Sequence, residues 1–256
     1  MCSHKRYRYN KGFGVTEISG KGFHTFYLGY KLQISLARNY PAVLYFASHS
    51  KTRKKPMFYC SIDIETTGLN PKTCDILQFA AVIDDLSNPQ PLEKLPKFQT
   101  HFTQPTYTGE PYALGMHPQI FKKIADAQKK RIEENEFGDR FMNILDLPFA
   151  FKNFLTQNGV PEDPRSGRVK ITVAGKNAAM FDLPFLNKKL KKRWGDITIL
   201  HRVIDPAILY YQPGDKTLPD SATCLERAGM AGEVAHTALE DALMVVKLVR
   251  HKLLPS

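Results

Sequence analysis

Apolar and polar residues alternate strictly over residues 57–65, MFYCSIDIE. Phe58, Cys60, Ile62 and Ile64 leave one face, and Tyr59, Ser61, Asp63 and Glu65 leave the other, as in a half-buried strand. The following TTGLNPKTCD carries Gly68, Asn70 and Pro71 and reads as a turn. ILQFAAVID at 76–84 predicts a second strand and KFQTHFT at 97–103 a third, and their short connections favour antiparallel neighbours. A helical pattern runs from about 113 to 136, with a break expected at Pro118, and another from about 139 to 157 despite Pro148. RVKITVA at 168–174 and ITILHRVID at 197–205 read as strands, and 179–194 as a helix with a basic outer end. A short helix at 220–229 ends at Gly229, and a last helix spans about 237–253. Together these elements predict an α/β domain of about five strands with helices on both sides.

Charge changes this picture at one end only. The net charge of +11 suggests a nucleic-acid partner. Residues 1–56, however, hold 11 Lys and Arg against a single acid, Glu17, so the rest of the chain is near neutral. This segment also carries ten aromatic residues, among them Tyr7, Phe13, Phe26 and Tyr40, and closes on the run KTRKKP. Three readings of it stand side by side: an arm that stacks bases and holds phosphates, a small β-rich appendage, or a stretch foreign to the natural protein. The division expected is therefore 1–56, a basic aromatic extension, and 57–256, a compact domain. Cys2, Cys60, Cys74 and Cys224 form no CxxC pair, which argues against a zinc ribbon, a redox motif and a disulfide-dense scaffold. No apolar run approaches a membrane span and the N-terminus makes a poor signal peptide, so a soluble, cytoplasmic protein is expected.

Four acids sit where acids are costly. Asp63 and Glu65 lie two apart on one strand and share a face. Asp182 is embedded in MFDLPF, and Asp241 falls on the inward face of the last helix. Burying carboxylates is expensive unless they are paired or bind a cation. No single Lys or Arg is placed to neutralise all four. All-oxygen ligation suits Mg²⁺ or Mn²⁺ and argues against zinc or copper. P-loop, HExxH and GxGxxG patterns are absent.

Taken together, the acids carry a family resemblance. DIETTGL at 63–69 is similar to the first motif of the DEDD exonucleases, and NAAMFDLPFL at 177–186 to the second. HTALEDA at 236–242 resembles the third in its histidine form, His-x-x-x-x-Asp. The alternative tyrosine form is matched in spacing by Tyr211 and Asp215, but Pro213 and Gly214 break any helix there. The chain thus resembles the DEDDh group, which includes the proofreading subunit of bacterial replicases, RNase T and oligoribonuclease. The resemblance implies an RNase H-like fold, a mixed five-stranded sheet flanked by helices.

The same resemblance implies a 3′→5′ exonuclease that releases nucleoside 5′-monophosphates with two Mg²⁺ or Mn²⁺ ions about 4 Å apart. It gives Asp63 the bridging position, Glu65 and Asp241 the ion that holds the attacking water, and Asp182 the second ion. It makes His236 the general base, with an ordinary pKa near 6.5 that leaves it able to accept a proton. Thr66, Thr67, Leu69 and Phe181 are expected to line the pocket for the terminal nucleotide, with simple core packing the competing reading for Leu69 and Phe181. YALGMHPQI at 112–120 resembles a segment near the penultimate base, which makes His117 a packing or substrate residue. ILQFAAV departs from many relatives by placing Gln78 where they carry Glu. The expected partner is a single-stranded DNA or RNA 3′ end, with a polymerase a further candidate. The competing class is a nucleic-acid-binding or tethering module on the same fold with lost chemistry. The presence of all five catalytic positions argues against it.

Overall fold

The computed structural model describes residues 56–230 and 237–255, together with two short strands near the N-terminus. Those two, β1 (Val15–Thr16) and β2 (Leu44–Tyr45), pair antiparallel. The chain divides into two units, Met1–Lys54 and Lys55–Ser256.

The second unit is built around β3 (Phe58–Thr66), and the alternation of apolar and polar residues along it builds two cores. Cys60, Ile62 and Ile64 join Phe79, Phe98 and Phe151 in a large buried cluster. Tyr59, on the opposite face, packs with Val245, Val246 and Val249 in a second. β4 (Ile76–Asp85) is buried along nearly its whole length and pairs antiparallel with β3 and with β5 (Lys97–Phe102). β6 (Arg140–Met142) adds to β5 in parallel. On the other side β7 (Val169–Ala174) pairs parallel with β3, and β8 (Ile197–Ile199) with β7. The sheet order is β6-β5-β4-β3-β7-β8. The class is α/β with a mixed sheet flanked by helices, as expected, but with six strands rather than five. The sixth is β6, which lies inside a stretch whose pattern suggests helix.

The helices follow the chain's prolines. α1 (Pro111–Met116) stops at His117, and α2 (Pro118–Lys130) restarts with Pro118 in its first turn, where a missing N–H costs nothing. α3 (Leu147–Gln157) likewise begins around Pro148, so that proline opens the helix instead of interrupting it. α4 (Asp182–Lys189) is shorter than its sequence pattern, because Lys191 and Lys192 adopt left-handed φ values of 50° and 59° and turn the chain. α5 (Pro206–Leu209) is a single turn that no sequence pattern predicts; it follows directly on the strand expected over 197–205, of which only Ile197–Ile199 is regular. α6 (Ser221–Arg227) is capped by Asp220, which accepts from Thr223 N, and is followed by Gly229 at φ 64°. α7 (Ala238–Leu253) lies across the Tyr59 face of the sheet. Among the described residues no helix is long and apolar enough to cross a membrane, and Cys60, Cys74 and Cys224 are free thiols.

Candidate active site

β3 and β7 run parallel, so both deliver their C-terminal ends to one edge of the sheet. β3 ends there with Asp63 and Glu65 on the α7 side. β7 leads into a tight turn at 175–181. A Cβ on Gly175 would come within 2.6 Å of Ala178 Cβ and 2.9 Å of the Ile62 carbonyl, so the close approach requires glycine. Gly175 N donates to the Ile204 carbonyl, and Asn177 N to the Asp205 carboxylate. This turn places Asp182 at the start of α4, only 3% exposed.

Asp241 arrives from the first turn of α7. Thr237 caps that turn: its hydroxyl accepts from Glu240 N and donates to the Glu240 carboxylate. One carboxylate oxygen from each of Asp63, Glu65 and Asp241 lies within 4.8 Å of the other two. Asp182 stands outside this trio, yet near enough that its charge raises the pKa of both Asp63 and Glu65.

The electrostatics record the crowding. Burial, then the charges of Asp182, Asp241 and Glu65, push Asp63 well above the usual carboxylate range, with Lys176 offsetting part of the effect. Burial, then Asp241 and Asp182, push Glu65 up to about 7. Burial raises Asp182 to about 7, against the pull of the backbone amides of Asp182 and Ile64. Acids held so close in a water-poor site favour protonation or a bound cation. The donor set is entirely carboxylate, which fits a hard divalent ion such as Mg²⁺ or Mn²⁺.

The remaining expected residues divide. Thr67 is fully buried and committed to the fold: its hydroxyl donates to the Thr108 carbonyl at 2.5 Å and accepts from Asp75 N at 2.7 Å. The Thr66 hydroxyl donates to the Gly68 carbonyl at 2.7 Å. Leu69, beside them, is 74% exposed. Phe181 is half-buried, with its ring 5.0 Å from that of Phe185. His236 lies outside the described residues. His117 is closer to the acids than the sequence suggests: its Nε2 is 3.6 Å from Glu65 Oε2. The break between α1 and α2, which the sequence places at Pro118, sets His117 at this position, within the 112–120 segment already marked as a packing or substrate stretch.

Comparison with known proteins gives fold-level likeness only. No protein-family model matches the chain, and no curated protein matches it. Among solved structures, E. coli Exonuclease I in complex with a dT13 oligonucleotide matches at 16% identity and a TM-score of 0.48, over 76% of this chain and 41% of that one. A further Exonuclease I structure matches at 16% and 0.49, over 77% and 41%. The ExoI/SSB-Ct complex matches at 14% and 0.49, over 78% and 42%. The chain therefore spans 41–42% of the length of those proteins.

Proposed function

We propose that residues 57–256 are a DEDDh-type, metal-dependent 3′→5′ exonuclease domain that hydrolyses phosphodiester bonds at a single-stranded 3′ end of DNA or RNA and releases nucleoside 5′-monophosphates. The observation that carries this reading is the convergence of Asp63, Glu65 and Asp241 from β3 and α7 within 4.8 Å. Residues so far apart in sequence have no structural need to gather mutually repelling carboxylates in a half-buried place.

Asp63, Glu65 and Asp241 would hold one divalent ion, and Asp63 with Asp182 a second. Bound ions would supply charge stabilisation at the scissile phosphate and lower the pKa of an attacking water. His236, five residues before Asp241 in the third motif, takes that water's proton on a ring nitrogen. Leu69, exposed at the end of the first motif, offers an apolar surface to the terminal base. Thr66 and Thr67 serve the same pocket by fixing the loop that presents Leu69. Phe181, immediately before Asp182, packs from the other side.

The test uses matched 5′-labelled single-stranded DNA and RNA with Mg²⁺ or Mn²⁺, an EDTA control, and the Asp63→Ala protein. A metal-dependent ladder shortening from the 3′ end and absent in the variant is expected, and the faster polymer names the substrate. Intact binding with no degradation of either polymer overturns the reading in favour of a tethering module.

A further inference from the structure

Beneath the carboxylates runs a row of polar residues in cross-strand register. Glu65 on β3 is paired with Gln78 on β4, and Gln78 with His101 on β5. Gln78 is 3% exposed and His101 fully buried, with its ring stacked on Phe141 at 5.2 Å. Two contacts leave the Gln78 amide. Its Oε1 accepts from the backbone N–H of Ala238, the first residue of α7, at 3.3 Å. Its Nε2 lies 3.2 Å from His101 Nε2.

These contacts determine where the protons are. A backbone nitrogen only donates, so the Gln78 oxygen must face Ala238 and the NH₂ must face the histidine. His101 Nε2 then has to accept, which requires a neutral ring with its proton on Nδ1. Burial favours that neutral ring: it lowers the His101 pKa, with Lys123 acting the same way and Asp139 and the Arg140 carbonyl opposing. A buried amide–imidazole pair with assigned protons fixes the groups it touches.

What it fixes is the start of α7. Thr237 satisfies the Glu240 amide locally, whereas the Ala238 amide is satisfied from the sheet, by Gln78. A cavity of about 520 Å³, lined by His101, His117, Thr237, Leu239 and Glu240 among others, flanks this turn. Asp241 is one residue past Glu240.

We infer that Gln78, oriented by His101, is a positioning residue: it sets the height of the α7 N-terminus over the sheet, and with it the distance from Asp241 to Asp63 and Glu65. This deepens the proposed function and rests on that reading for its catalytic meaning. The positioning itself is tested without catalysis.

Mn²⁺ alone serves as the probe, titrated into the whole protein and followed by electron paramagnetic resonance. Gln78→Met keeps the side-chain length and removes both hydrogen bonds. It should weaken Mn²⁺ binding roughly tenfold, the scale seen when a ligand's supporting partner is lost. Gln78→Glu keeps an acceptor for Ala238 and should restore binding to at least the wild-type level. In parallel, long-range ¹H–¹⁵N spectra of the wild type should show the His101 proton on Nδ1, and those of Gln78→Glu should show it moved to Nε2. A wild-type proton on Nε2 overturns the proposal even if Gln78→Met fails to fold. So does a folded Gln78→Met that binds Mn²⁺ within twofold of wild type. If the Mn²⁺ and tautomer results appear as expected but no nuclease activity is found, the exonuclease reading fails and the positioning stands.

Discussion

Arg250 grips Asp84 with two prongs, Nε to Oδ2 at 2.9 Å and Nη2 to Oδ1 at 2.6 Å. The Tyr59 hydroxyl donates to the same carboxylate at 2.9 Å, and Asp84 is only 1% exposed. This pair fastens the C-terminal end of α7 to β4, as Gln78 fastens its N-terminal end. Removing one partner of a buried pair leaves a charge without compensation, at a cost of about 3–5 kcal/mol. Arg250→Ala should therefore lower unfolding stability by about that much in a urea titration. A loss below about 1 kcal/mol would mean that the pair is loosely held.

The crowded carboxylates make stability depend on pH in a definite direction. Glu65 and Asp182 are raised from 4.5 and 3.8 to about 7, and Asp63 is raised as well. The folded protein then binds more protons than the unfolded chain between about pH 4 and 7. The contribution of these groups to stability is complete below the unfolded values and is lost as pH rises through about 7. The Tm of the metal-free protein should accordingly fall from about pH 5 to about pH 8, and Mn²⁺ should raise it far more at the upper end than at the lower. Glu65→Gln should flatten the metal-free slope. Equal Mn²⁺ effects at both pH values would show that these acids do not repel one another.

Gly109 lies against the first motif. A Cβ there would fall 2.3 Å from the Thr67 carbonyl oxygen and 2.4 Å from Thr67 Cβ. Thr67 is two residues past Glu65, so any shift reaches the acids. Gly109→Ala should cost about 1–3 kcal/mol through overpacking and weaken Mn²⁺ binding together with stability. An unchanged melting curve would place the two segments farther apart than they are here.

Asp75 joins three segments. Its carboxylate accepts from Thr108 N at 2.7 Å and pairs with Lys189 of α4 at 2.5 Å, while its carbonyl accepts from Thr67 N. Both side chains are mostly covered. Lys189→Met should destabilise by about 1–3 kcal/mol. A double-mutant cycle with Asp75→Asn should give a coupling well above the surface-pair range of about 0.2–1 kcal/mol. Additive effects would mean that the pair contributes nothing.

How much of the fold and site is readable in the sequence depends on the scale of each feature. β3 is legible because nine residues alternate cleanly between two cores, and β4 because its apolar run is long and unbroken. β6 is not: three residues show no period, and Asp139 to Gln157 contains enough helix formers to mask them. The acids stand out because a carboxylate in an apolar string is costly to bury without a cation or a partner. Asp63, Glu65 and Asp241 meet within 4.8 Å, and Asp182 is buried beside them. The Thr67 hydroxyl is held within the turn, since a buried hydroxyl must find a partner and the Thr108 carbonyl provides one, and no local pattern in the sequence contains that partner. The contact of His117 with Glu65 and the meeting of Gln78 with His101 depend on strand register and on which segments face each other, which no local pattern contains, although the helix break at Pro118 is legible.

The carboxylate trio has its two halves at opposite ends of the domain, Asp63 and Glu65 on its first strand and Asp241 on its last helix. A ribosome adding about 5–20 residues per second delivers the third acid roughly ten to thirty-five seconds after the first. Throughout that interval the nascent chain holds two acids without the third. The complete trio therefore exists only once the six strands are made and α7 has closed over them, so the order of synthesis sets when a cation can first be held.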